Sequence, residues 1–206
     1  MYSTRSGLVL GFHGCDKSAA VNVVERGRPL RPSKNPWDWL GTGIYFWENS
    51  PARALEFAVY LRDHPLPSRR NRIVEPAVVG AVLDLGFCLD LLNYENLKWV
   101  KQGYESVSRI YSKAGYKLPT NRTAGESNDR LLRFLDCLVI NFVQDSRSAE
   151  KMQPFDSVRG VFWEGDELYP HAGFREKDHI QICIVNPNCI KGYFYPRTLS
   201  TRYSKV

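Results

Sequence analysis

Apolar and polar residues alternate most clearly near the C-terminus. There His179-Ile180-Gln181-Ile182-Cys183-Ile184-Val185 predicts a strand with His179, Gln181 and Cys183 on one face. The unbroken apolar run Ala77 to Leu85 predicts a buried central strand. Gly7 to Asp16 reads as a strand running into a turn, with Asp16 or Ser18 capping a short helix through Ala19, Ala20, Val21 and Val24. Gly41 to Phe46 and Val158 to Trp163 read as further strands, and Ile190 to Phe194 as a final edge segment. Helical spacing appears in Ala54, Leu55, Ala58 and Leu61, within a helix from Pro51 to Arg62 whose N-cap is Asn49 or Ser50. A second helical stretch runs from Leu89 to Ser112, with Leu92, Leu97, Val100, Val107 and Ile110 predicted inward. A third starts at Ser127 or Asn128 and turns Leu131, Leu132, Leu135, Leu138, Val139 and Phe142 to the core. Between them, the proline-rich stretch Arg28 to Trp37 and the breaker-rich stretch Gly115 to Gly125 are expected as loops.

No internal repeat or shift in composition divides the chain, so its 206 residues (1–206) are expected to form a single α+β domain with a sizeable core. Hydrophobic content of 43% fits an ordinary folded protein and excludes a disordered one. The formal net charge of +6 changes the picture slightly, because it favours phosphate-bearing partners through long-range attraction. Five scattered cysteines contain no C-x-x-C pair, which argues for reduced thiols in a cytosolic setting and against a zinc or redox site; no metal is expected. The apolar run Leu8 to Phe12 is too short for a signal-peptide core and nothing later suits a bilayer span. A cytoplasmic protein without a membrane partner is expected, although export by machinery that reads no such signal stays open.

The candidate chemistry centres on Trp39-Leu40-Gly41-Thr42-Gly43-Ile44-Tyr45-Phe46-Trp47. A tight glycine turn feeds a short aromatic strand that ends beside a helix N-terminus. Glycine lets a backbone approach a ligand closely, and a ring held there can stack on a flat heterocycle. Upstream, Phe12-His13-Gly14 offers an imidazole beside another glycine, although His13 alone reads more simply as a satisfied strand-end histidine. Phe57 lies close to the inward face of the helix after Tyr45, as a core residue or a second aromatic wall. His64 to Arg72, with Arg69, Arg70 and Arg72, is the densest positive cluster; such runs are usually solvated, but this one would suit phosphate contact beside a cleft.

Taken in order, these parts resemble the ADP-ribosyltransferase superfamily, in the diphtheria-toxin and poly(ADP-ribose)-polymerase-like branch known by an H-Y-E signature. His13-Gly14 is similar to the first motif, Gly41-Thr42-Gly43-Ile44-Tyr45-Phe46 to the second, and the strand around Gln181 stands where the third is expected. The resemblance runs from about Leu8 to Phe194 and is most specific in the second motif. It implies a split, mostly antiparallel β core with flanking helices and NAD+ as co-substrate in the cleft. It further implies that His13 bonds the adenosine ribose and that the Gly14 backbone holds the nicotinamide amide. Tyr45, beside Gly43, would stack on the nicotinamide ring, with Phe57 closing the other side.

The chain departs from the family at its third motif. Gln181 stands where the polymerases carry glutamate; it can orient a hydroxyl but cannot serve as a base. Glu176 and then Glu164 are the alternative sources of a carboxylate. Single transfer is therefore expected rather than chain extension. The expected function is a toxin-like mono-ADP-ribosyltransferase with a macromolecular acceptor, nucleic acid slightly favoured over protein, and an antitoxin or immunity protein as a possible partner. An NAD+ glycohydrolase and a catalytically silent NAD-binding or interaction domain are the alternatives.

Overall fold

The structure, a computed structural model, describes residues 7–65, 72–124, 129–198 and 201–202. In chain order the elements are β1 (Val9–Asp16), α1 (Lys17–Val24), β2 (Ile44–Glu48), α2 (Pro51–Asp63), β3 (Pro76–Leu83) and β4 (Cys88–Asp90). They continue with α3 (Tyr94–Lys113), α4 (Phe134–Ala149), β5 (Ser157–Phe162), β6 (His179–Ile184), a 3-10 turn at Pro187–Cys189 and β7 (Ile190–Phe194). The strands form one seven-stranded sheet in the order β4-β5-β6-β2-β1-β3-β7. All neighbours are antiparallel except the short β4–β5 pair, so the fold is α+β with a mostly antiparallel open sheet.

Alternation along the strands divides the residues between two faces. The first face buries Ile44, Phe46, Val79, Ala81, Leu83, Ile182 and Ile184 beneath α1, through Ala20 and Val23. The second carries α2 over Phe12 and Trp47, and α4 over Val158, Phe162 and Cys183. Each fully buried residue of this size contributes about 1.5–3 kcal/mol, so both layers are needed. The first face also holds a buried ion cluster: Arg159 on β5 grips both Glu48 oxygens through Nε and Nη2, and Asp90 through Nη1 at 3.1 Å.

The stretch after Leu89 departs from expectation. Leu89 is fully buried on β4, and the helix begins only at Tyr94, after Asn93 accepts a capping bond from the Glu95 amide. Leu92, Leu97 and Ile110 are exposed; Val107 is buried as expected, and Gly103 faces inward with it. The reason is a close helix crossing: a Cβ on Gly103 would stand 2.5 Å from Val143 of α4. The third predicted helix begins later than its spacing suggested, at Phe134, while Leu132 is held in an isolated bridge to Arg122. Its inner set is Cys137, Val139, Ile140 and Val143; the expected caps Ser127 and Asn128 lie outside the described residues.

The joint between β1 and β2 is short. β1 pairs with β3 from Val9↔Leu83 to Asp16↔Pro76, but with β2 only at Gly11↔Glu48 and Phe12↔Trp47. Past that point a side chain takes over from the backbone ladder: His13 Nδ1 lies 2.8 Å from the Tyr45 carbonyl oxygen, to which it donates.

Candidate functional site

The sheet order places β6, β2 and β1 side by side at its centre, bringing together three segments that are far apart in sequence. The β2–β6 register sets Tyr45 opposite Cys183 and Trp47 opposite Gln181. Before β2 the chain turns at Gly41, whose φ of 79° suits glycine. The Tyr45 hydroxyl closes that turn on its own strand, donating to the Gly41 carbonyl at 2.6 Å and accepting from the Leu40 amide at 2.8 Å. The Thr42 amide donates to Asn141 Oδ1 of α4, which fixes the turn from outside. Burial, with Cys183 and Asp38 nearby, pushes the Tyr45 phenol well above its ordinary pKa and keeps it protonated.

His13 and Tyr45 are joined through the Tyr45 backbone, while their side chains lie on opposite faces. The His13 ring stands edge-on to Phe46 on the first face, and the Tyr45 phenol joins the cluster of Phe162 and Cys183 on the second. Gly14 is closed off by α2, since a Cβ there would fall 2.0 Å from the Ala54 carbonyl oxygen. Gly43 sits equally close to β6, where a Cβ would meet Cys183 Sγ at 2.4 Å. Phe57 packs on Trp47, with ring centroids 5.0 Å apart, rather than on Tyr45. Gln181 is only 9% exposed and shares its face with Trp47. Glu164 turns inward with its side chain 15% exposed, whereas Glu176 is exposed on the surface. Arg72 is exposed; Arg69 and Arg70 lie outside the described residues.

Around Gln181 the structure assembles a cluster that sequence reasoning missed. His179, with its side chain 2% exposed, stacks against Trp39 at 6.0 Å and lies 6.3 Å from Trp47 and 5.8 Å from Phe162. Its Nδ1 lies 2.6 Å from the Lys177 carbonyl oxygen. A carbonyl only accepts, so Nδ1 carries the proton and Nε2 of the neutral ring is a bare acceptor. Burial pulls the His179 pKa below its ordinary value and Arg53 adds to this, opposed by the Lys177 carbonyl, Glu164 and Asp178. Arg53, from the first turn of α2, donates to Glu164 at 2.7 Å and lies 5.8 Å from the Trp47 ring centroid. Glu164 in turn stands 3.9 Å from His179 Nδ1.

Three buried nitrogens in this cluster find no hydrogen-bond partner among the described residues: Trp47 Nε1, Arg53 Nε and His179 Nε2. Together they offer two donors and one acceptor to a polar ligand. On the far side of the Trp39–Phe162 wall, Arg133 lies 4.4 Å and 4.9 Å from the two ring centroids. It borders a groove of about 540 Å3 between α3, α4 and β5, also lined by Lys101, Tyr104 and Val100. Two signals for this cluster were present in the sequence. His179 shares the alternating face of Gln181, and Trp39 and Trp47 bracket the glycine turn.

No helix among the described residues is long and apolar enough to cross a membrane. The chain matches no protein-family model and no solved structure. It is similar to an uncharacterized protein of Methanocaldococcus jannaschii, 24% identical over 197 residues that cover 87% of this chain and 83% of the relative.

Proposed function

We propose that this protein is an NAD+-dependent mono-ADP-ribosyltransferase of the toxin-like kind, acting on a macromolecular acceptor. The observation that carries the proposal is the adjacency of β1, β2 and β6, which brings the His13-Gly14, Gly41–Phe46 and Gln181 segments to the centre of one sheet. Beside them lies a buried aromatic and polar cluster with unused hydrogen-bonding groups. In such a reaction the nicotinamide–ribose bond breaks as positive charge develops on the ribose. The site's task is to orient NAD+ and stabilise that charge. The rings of Trp39, Trp47 and Phe162 supply electron-rich walls for it, and Gln181 can orient a ribose hydroxyl. The net charge of +6 favours a nucleic-acid acceptor over a protein one.

Incubation with labelled NAD+ and separate RNA and protein pools tests this directly. Label on RNA is expected; label on protein alone would remove the nucleic-acid acceptor, and the absence of both NAD+ binding and nicotinamide release would remove the enzyme. Nicotinamide released without any labelled macromolecule would identify a glycohydrolase on the same site. Tyr45→Ala should fold yet lose NAD+ binding and turnover, because the phenol anchors the glycine turn through Leu40 and Gly41. A folded variant with normal turnover would dismiss the placement.

A further inference from the structure

We propose that His179, through Nε2, takes the proton from the acceptor's attacking group, so that the acceptor is a neutral O–H or N–H nucleophile rather than a carboxylate. This inference rests on the transfer reaction proposed above. Gln181, at the neighbouring position on the same face, has no basic atom for the task. His179 has one, and the structure leaves it unused: Nε2 is buried and meets no hydrogen-bonding group among the described residues. A buried polar atom without a partner costs stability unless something other than the chain completes it.

The surroundings prepare the ring for proton transfer. The Lys177 carbonyl holds Nδ1–H and so fixes the tautomer that bares Nε2. Trp39, Trp47 and Phe162 clamp the imidazole and exclude water. Glu164, 3.9 Å from Nδ1, stabilises the imidazolium once it forms. In the step, a bond forms between the acceptor oxygen or nitrogen and the anomeric carbon of NAD+. The bond from that carbon to the nicotinamide nitrogen breaks, and its electron pair leaves with nicotinamide, which becomes neutral. The acceptor's proton passes to Nε2. A carboxylate acceptor would have no proton to give and would leave this base idle. Arg53–Glu164, Lys177–Glu56 and Arg175–Asp129 tie the segment 164–178 down beside the ring, and the proposed step requires that this segment part from it to admit substrate.

Turnover of NAD+ by wild type, H179Q and H179A decides the matter. H179Q should bind NAD+ within about threefold of wild type in calorimetry but lose about a hundredfold or more in kcat, the usual contribution of a general base. H179A should regain activity on addition of imidazole, and the rescue should grow with the unprotonated fraction. An H179Q variant with unchanged kcat, while wild type turns over NAD+, would overturn this inference alone. Loss of NAD+ binding without imidazole rescue would overturn it in favour of a packing role. A wild-type protein that neither binds nor cleaves NAD+ would overturn both this inference and the function it rests on. Should the variants fail to fold, the wild-type pH profile serves instead. The charges facing the ring are Arg53 on α2, Glu164 after β5 and Asp178 before β6, with Arg133 across Trp39 and Phe162; Lys177 meets the ring through its carbonyl and pairs its ammonium with Glu56. A kcat that falls with protonation of one group below the ordinary 6.5 supports the role, and a profile that stays flat down to the onset of acid unfolding overturns it.

Discussion

The two faces of the sheet each bury an arginine against carboxylates, and they finish the task differently. On the first face Arg159 spends Nε, Nη1 and Nη2 on Glu48 and Asp90. On the second, Arg53 binds Glu164 and approaches Glu56 at 3.4 Å, yet its Nε, Trp47 Nε1 and His179 Nε2 stay without partners among the described residues. Both clusters join distant parts of the chain, since Arg159–Glu48 and Arg53–Glu164 each span 111 positions. A saturated cluster is a fixture of the fold. An unsaturated one, ringed by tryptophans, has capacity left for a ligand.

Arg159→Ala should break the comparison most severely. It takes the guanidinium away from the buried Glu48 and from Asp90, and a loss of about 3–5 kcal/mol is expected in urea denaturation. A loss near zero would show that the triad is incidental. Gly14→Ala separates packing from charge: the added methyl collides with the Ala54 carbonyl and displaces α2, at a cost of about 1–3 kcal/mol by the same measurement. Glu164→Gln keeps the shape of the second cluster and leaves Arg53 close to Glu56, so about 1 kcal/mol is expected, well below the effect of Arg159→Ala. Equal losses at the two arginine sites would erase the difference between the clusters. The smallest effect concerns pH. The folded protein holds His179 neutral below the pH at which the unfolded chain protonates it, so the unfolded state binds more protons there. Stability should therefore fall as pH drops below about 6.5, down to the depressed folded value, and His179→Gln should remove that part of the slope in melting curves.

The sequence made most of the strands legible, because Val9–Asp16, Pro76–Leu83 and His179–Ile184 carry their signal in local alternation or in unbroken apolar runs. β4 was hidden because it has only 3 residues and borrows its partner from β5, far along the chain. The inward face of α3 was legible only in part: Val107 is buried as expected, but Gly103, a residue without hydrophobic surface, makes the close approach to α4. In the candidate site, the aromatic turn and Gln181 could be read from spacing. The Arg53–Glu164–His179 arrangement could not, since a helix, a loop and a strand contribute one residue each. Gly14 carried a double meaning: its missing side chain suited ligand approach, and in the structure it accommodates a helix.

The brevity of the β1–β2 joint has a mechanical consequence. The sheet behaves as two ribbons, β4-β5-β6-β2 and β1-β3-β7, laced together by Gly11, Phe12 and an imidazole pin at position 13. Few backbone bonds cross that seam, so the side chains packed over it, Ile44 and Phe46 against Val79 and Leu83 on one face and Trp47 against Phe12 on the other, carry most of its cohesion.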